Sequence, residues 1–167
     1  TSISLSSSEL SIQLGHSETL IATVLPDNAT DKTVTWTTSD ASIASVEDGV
    51  VTAHKIGTAV ITATAGTESA TCQITVLPIP VESISLDRTK ASVIIGSKLS
   101  ITATVLPENA TYKTVTWESS NPDIASVENG LVSANSLGEA VITASIGELK
   151  ASCVVTVRPV VGTSFVE

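Results

Sequence analysis

The sequence predicts an all-β chain built as two consecutive antiparallel β-sandwiches, and three observations lead there. Residues 1–78 return at 82–159 with a constant offset of 81 and no gap, and 40 of the 78 aligned positions are identical. The copies also keep four glycine pairs (Gly15/Gly96, Gly49/Gly130, Gly57/Gly138, Gly66/Gly147), so they share one backbone path. β-branched residues recur at every second position in short runs closed by Gly, Pro, Asn or Asp, and helical spacing is absent.

Taken in order, the first copy yields eight strands. Ile3-Leu5 and Ser11-Leu14 are short alternating runs, the second stopped by Gly15. Leu20-Val24 places Leu20, Ala22 and Val24 on one face and ends before Pro26. Val34-Thr38 carries Val34 and Trp36 inward, and Ala44-Val46 and Val50-Ala53 flank Asp48-Gly49. The two longest runs, Ala59-Ala65 and Ala70-Val76, point Ala59, Ile61, Ala63 and then Cys72, Ile74, Val76 to the core. The second copy repeats all eight strands 81 residues on. A register slip of one residue would turn this apolar set to water, so the alternation pins the pairing. Short strands about ten residues apart, joined by turns, form sandwiches with one face of each sheet buried.

The domain boundaries follow from the repeat: a first domain over 1–77, a linker over 78–81, a second domain over 82–158, and a residual 159–167. Pro78-Ile79-Pro80-Val81 is short and proline-stiffened, so the sandwiches are expected end to end with limited bending. Thr163-Ser164-Phe165 falls where Thr1-Ser2-Ile3 and Glu82-Ser83-Ile84 open their copies, so 159–167 is read as the start of a further element or a tail.

Composition excludes several functions. Net charge is −9, with 8 acidic and 2 basic residues before position 82 and 9 acidic and 6 basic from there on. An acidic chain with four aromatic residues lacks the basic stripe and stacking platform of a nucleic-acid binder. No apolar run reaches the ~18 residues of a membrane-spanning helix, so no membrane insertion is expected. No positively charged, apolar-cored leader opens the sequence. Each copy holds one cysteine, which excludes a disulfide within a domain. Cys72 and Cys153 fall in phase with the inward Ala, Ile and Val and are read as small buried hydrophobes.

Several linked motifs recur at fixed spacing: Ser-Ile-Ser-Leu at 2–5 and 83–86, Leu-Pro-Asp-Asn-Ala-Thr at 25–30, and Leu-Pro-Glu-Asn-Ala-Thr at 106–111. Thr-Val-Thr-Trp follows at 33–36 and 114–117, Ile-Ala-Ser-Val at 43–46 and 124–127, and Gly-Thr-Ala-Val-Ile-Thr-Ala at 57–63. With these residues the chain resembles a tandem of bacterial immunoglobulin-like domains of group 2. The resemblance implies two immunoglobulin-like sandwiches and places the chain among surface proteins, intimin- and invasin-type adhesins, accessory modules of extracellular enzymes and phage virion proteins. It brings no catalytic or ligand residues. The antibody-type disulfide is replaced by packing around a lone Cys, so such a module folds without oxidation.

The repeat also tests each candidate site, because shared chemistry should leave its residues in both copies. His16 and His54 face Ser97 and Asn135 in the second copy, with no Cys or carboxylate at ligand spacing, so no metal or cofactor is expected. No Gly-x-Ser-x-Gly elbow occurs, and no catalytic residue is assigned. Asn28 and Asn109 read as turn residues rather than sugar acceptors. Lys32 and Lys113 recur but lie in polar surroundings, unlike a buried isopeptide lysine. Glu47, Asp48, Glu82 and Asp87 lack the alternating pattern of a calcium loop. Tyr112, whose counterpart is Asp31, is the one aromatic left for ligand contact within either copy.

The expected function is a non-enzymatic structural spacer or adhesive stalk of a bacterial cell-surface or extracellular protein. Its partners would be neighbouring domains of a longer chain. The alternative is a glycan- or host-receptor-binding module, including one in a phage virion.

Overall fold

The computed structural model describes residues 1–162, and every regular element among them is a strand. Two compact units result, Thr1–Ile79 and a second from Pro80 onward.

In the first unit the strands are β1 (Ser2–Leu5), β2 (Glu9–Gln13), β3 (Ser17–Thr19), β4 (Ala22–Leu25), β5 (Thr35–Thr38), β6 (Ala44–Glu47), β7 (Val50–Ala53), β8 (Gly57–Ala65) and β9 (Glu68–Leu77). They form a four-stranded sheet β2-β9-β8-β5 facing a three-stranded β3-β7-β6 and a two-stranded β1-β4. The second unit repeats this as β10 (Ser83–Leu86), β11 (Lys90–Ile94), β12 (Lys98–Ser100), β13 (Ala103–Leu106), β14 (Thr116–Ser119), β15 (Ala125–Glu128), β16 (Leu131–Ala134), β17 (Gly138–Ile146) and β18 (Leu149–Arg158). Its sheets are β11-β18-β17-β14, β12-β16-β15 and β10-β13.

Alternation sets the core as expected. Ile12, Leu20, Ala44, Val51, Ala59, Ile61, Cys72, Ile74 and Val76 are buried together. β8 and β9 pair Ile61 with Cys72 and Ala59 with Ile74, and β17 and β18 pair Ile142 with Cys153 and Ala140 with Val155. The outward positions of the same strands differ between copies. In the first unit they are Thr58, Val60, Thr62, Thr71, Gln73 and Thr75, whereas in the second Glu139, Lys150 and Arg158 bring charge to that face.

The structure departs from the expectations at three points. The sandwiches are not purely antiparallel: β2 runs parallel to β9, and β11 to β18. The chain leaves β1 at Ser6-Ser7-Ser8 without reversing and joins the opposite sheet beside its last strand, which points the same way. The single strand expected over 20–24 is broken at Leu20-Ile21. There Leu20 N donates to Gly49 O (2.8 Å), and Ile21 N donates to the Ser6 hydroxyl (3.1 Å) instead of to a ladder partner. The indoles of Trp36 and Trp117 are half-buried, packed on the core's edge and not enclosed by it.

Of the residual segment, 159–162 carry no strand, and the Thr163-Ser164-Phe165 match lies outside the described residues.

Candidate functional sites

Asp48-Gly49 and Asn129-Gly130 form the two-residue connections of the β6–β7 and β15–β16 hairpins. Asp48 (φ 48°) and Gly49 (φ 85°) match Asn129 (φ 50°) and Gly130 (φ 82°), the left-handed pair that a tight hairpin of this twist demands. A Cβ on Gly49 would stand 2.5 Å from the Leu20 carbonyl oxygen and 3.1 Å from Cζ2 of Trp36. Gly130 is enclosed in the same way by Ile101 and Trp117. The hairpin tip therefore props the indole against the core, and Asp48 serves as a turn former.

His54 belongs to the fold as well. Its Nε2 lies 2.7 Å from the Ser45 hydroxyl. Asn135 at the matching position donates from Nδ2 to Ser126 Oγ (3.2 Å) and to the Pro122 carbonyl (2.9 Å). Histidine and asparagine thus fasten the same serine to the same loop, and no activated serine is needed to explain the contact. His16 is exposed in the turn before β3. Among the described residues no three His, Cys, Asp or Glu side chains gather as a metal site.

The acidic candidates are engaged locally. Asp87 accepts from Arg88 Nη2 (2.7 Å) and Nε (3.1 Å) through one oxygen, and from Thr102 N (3.1 Å) through the other. The Arg88 hydrogen bond holds its carboxyl below the usual carboxylate value, and burial opposes it. Asp87 fills the role that Ser6 plays at Ile21 in the first unit. Asp31 accepts from Thr33 N (2.9 Å) and Asp40 from Ser42, and these bonds lower both carboxyls. Sequence reasoning missed all three; for Asp31 and Asp40 an Asp two residues before a Thr or Ser was a readable signal, whereas the Asp87 contact with Thr102 spans 15 positions and leaves no local mark. Glu82 and Glu47 are exposed.

Asn28 and Asn109 sit in turns closed by Ala29 N to Pro26 O (2.9 Å) and Ala110 N to Pro107 O (3.0 Å). Lys32 and Lys113 are exposed, and Lys113 Nζ donates to the Glu108 carbonyl (2.5 Å), so neither occupies the enclosed place of an isopeptide lysine. Cys72 and Cys153 are fully buried, and burial pushes both thiols up, away from the reactive thiolate.

Tyr112 remains. It is 66% exposed, on the long connection between β13 and β14, next in sequence to Lys113. Lys113 borders a surface groove shared with Thr104, Glu108 and Val115.

Comparison with known proteins agrees with this architecture. The bacterial Ig-like domain (group 2) profile matches residues 1–76 and again 80–157. An uncharacterized protein of Clostridium acetobutylicum is 38% identical over 163 residues, which is 92% of this chain and 16% of that protein. An Ig-like virion protein of Serratia phage KSP90 is 33% identical over 138 residues, 78% of this chain and 54% of its own length. The chain thus spans only part of the relatives it matches. Among solved structures, domains 1–6 of the surface layer protein SbsC align over 87% of this chain and 24% of theirs, at 24% identity and a TM-score of 0.49.

Proposed function

Because the chain belongs to the bacterial Ig-like domain (group 2) family, we propose that it is a non-enzymatic structural module, a spacer or adhesive stalk segment of a bacterial cell-surface or extracellular protein. One observation carries this reading: two serines kept in both copies serve the fold. Ser39 and Ser120 accept from Val60 N and Val141 N (2.9 and 2.8 Å), extending the β5–β8 and β14–β17 ladders. Ser45 and Ser126 anchor the loops before β8 and β17. A module built this way contributes extent and stability, and its net charge of −9 limits nonspecific association. The likeness to the Ig-like virion protein supports a phage particle as the alternative setting.

The test is made in the full-length parent. Deleting both units should reduce antibody access to a tag placed at the surface-distal end, and an unrelated pair of β-sandwiches should restore it. Failure of the unrelated pair to restore access would overturn the spacer reading.

A second reading, contact with a glycan or host receptor, is favoured by the exposure of Tyr112. It predicts retention on a glycan array that disappears with Tyr112→Ala. Equal signal from parent and variant would dispose of it.

A further inference from the structure

We propose that Asn129 is a site of spontaneous, backbone-assisted deamidation in the folded chain, and that the fold accepts the aspartate so formed. The chemistry needs only water. The Gly130 backbone nitrogen attacks Cγ of Asn129, an N–Cγ bond forms and the Cγ–Nδ2 bond breaks. The amide proton leaves with Nδ2 as ammonia. Water then opens the five-membered imide at either carbonyl, giving aspartate or isoaspartate, with no change of oxidation state.

The neighbours single out this asparagine. Of the five, Asn28 and Asn109 precede alanine, whose Cβ crowds the attacking nitrogen, and Asn121 precedes Pro122, which has no N–H to give up. Asn135 precedes serine and has its amide committed to Pro122 O and Ser126 Oγ. Asn129 is exposed at the hairpin tip and precedes glycine, which has no Cβ to crowd its own backbone nitrogen.

The fold also keeps the labile pair in place. A side chain at position 130 would run into the Ile101 carbonyl and approach Cζ2 of Trp117 to 3.1 Å, so glycine there is obligatory. The first copy already shows the product state. Asp48 takes φ 48° where Asn129 takes φ 50°, and the Gly49 carbonyl accepts from Leu20 N as the Gly130 carbonyl accepts from Ile101 N, both at 2.8 Å. Isoaspartate differs, because its extra main-chain carbon lengthens the hairpin and draws Gly130 away from Trp117.

The experiment incubates the intact chain at mildly alkaline pH and body temperature and maps its peptides over time. A gain of about 1 Da should appear in the Asn129 peptide before any other asparagine converts, with isoaspartate detected at the same residue. Asn129→Asp should melt within about 4 °C of the parent. Conversion of another asparagine first, or a larger fall in the melting midpoint of Asn129→Asp, would overturn the proposal.

Discussion

Replacing Gly49 with alanine tests how the hairpin tip holds the indole. A Cβ-bearing residue in the left-handed region loses roughly 1–2 kcal/mol. At Gly49 the new methyl would also lie 2.5 Å from the Leu20 carbonyl oxygen and 3.1 Å from the Trp36 ring. Crowding of that kind adds about 1–3 kcal/mol. Displacing the Gly49 carbonyl from Leu20 N adds about 1 kcal/mol more. The expected loss is about 3–6 kcal/mol, against roughly 4–12 kcal/mol for a unit of this size. Gly15→Ala is the control, since Gly15 has φ 81° but nothing within 4 Å of its added Cβ, so only the backbone contribution applies. Cys72 supplies the assay: it is fully buried and the one cysteine of its unit, so a thiol reagent reaches it only when that unit opens. Gly49→Ala should raise Cys72 labelling about 10²–10⁴-fold at an energy of about 1.4 kcal/mol per decade. Cys153, in the other unit, provides the internal reference. Labelling of Gly49→Ala no faster than that of Gly15→Ala would refute the crowding account.

Further outcomes follow from the same contacts. Asp31, Asp40 and Asp87 have folded pKa values below the ordinary 3.8, so their contribution is complete above that value and is lost as pH falls through the lowered ones. The melting temperature should therefore be level near neutrality and drop in acid, and Asp87→Asn should flatten part of that drop in a pH series followed by calorimetry. Cys153→Ser puts a hydroxyl in a fully buried apolar site and should lower stability by about 1–3 kcal/mol in a urea titration, more than Cys153→Ala does. Trp117→Ala should destabilise the second unit by about 3 kcal/mol, the low end for a buried aromatic because the ring is only partly buried, and chemical denaturation measures it. Intact mass should show no loss of ammonia from a crosslink at Lys32 or Lys113, since both amines are exposed.

The strands and most of the core were legible because alternation is a property of each strand alone: Ile61, Ile74 and Cys72 announced their burial two residues at a time. What alternation does not encode is a partner's direction. The parallel pairing of β2 with β9 depends on Ser6-Ser7-Ser8 carrying the chain across the sandwich, and no periodicity marks that step. The break at Leu20-Ile21 was hidden for a similar reason, because Leu20 stays buried and in phase while its amide turns to Gly49. Trp36 and Trp117 were placed inside by residue type and phase. Their partial burial follows from lying on β5 and β14, at the edges of their four-stranded sheets. Among the candidate sites, comparing the copies set the histidines aside but could not see that His54 and Asn135 perform one task, since that equivalence lies in what each side chain reaches.

The Ile61–Cys72 register recurs as Ile142–Cys153, flanked in both units by the same Ala-Val-Ile-Thr-Ala segment. β8 and β17 share six of their nine residues, and strands this similar compete for one another's places when the whole chain refolds from urea. Emergence from the ribosome removes the rivalry by order of arrival, because β8 and β9 close before β17 exists.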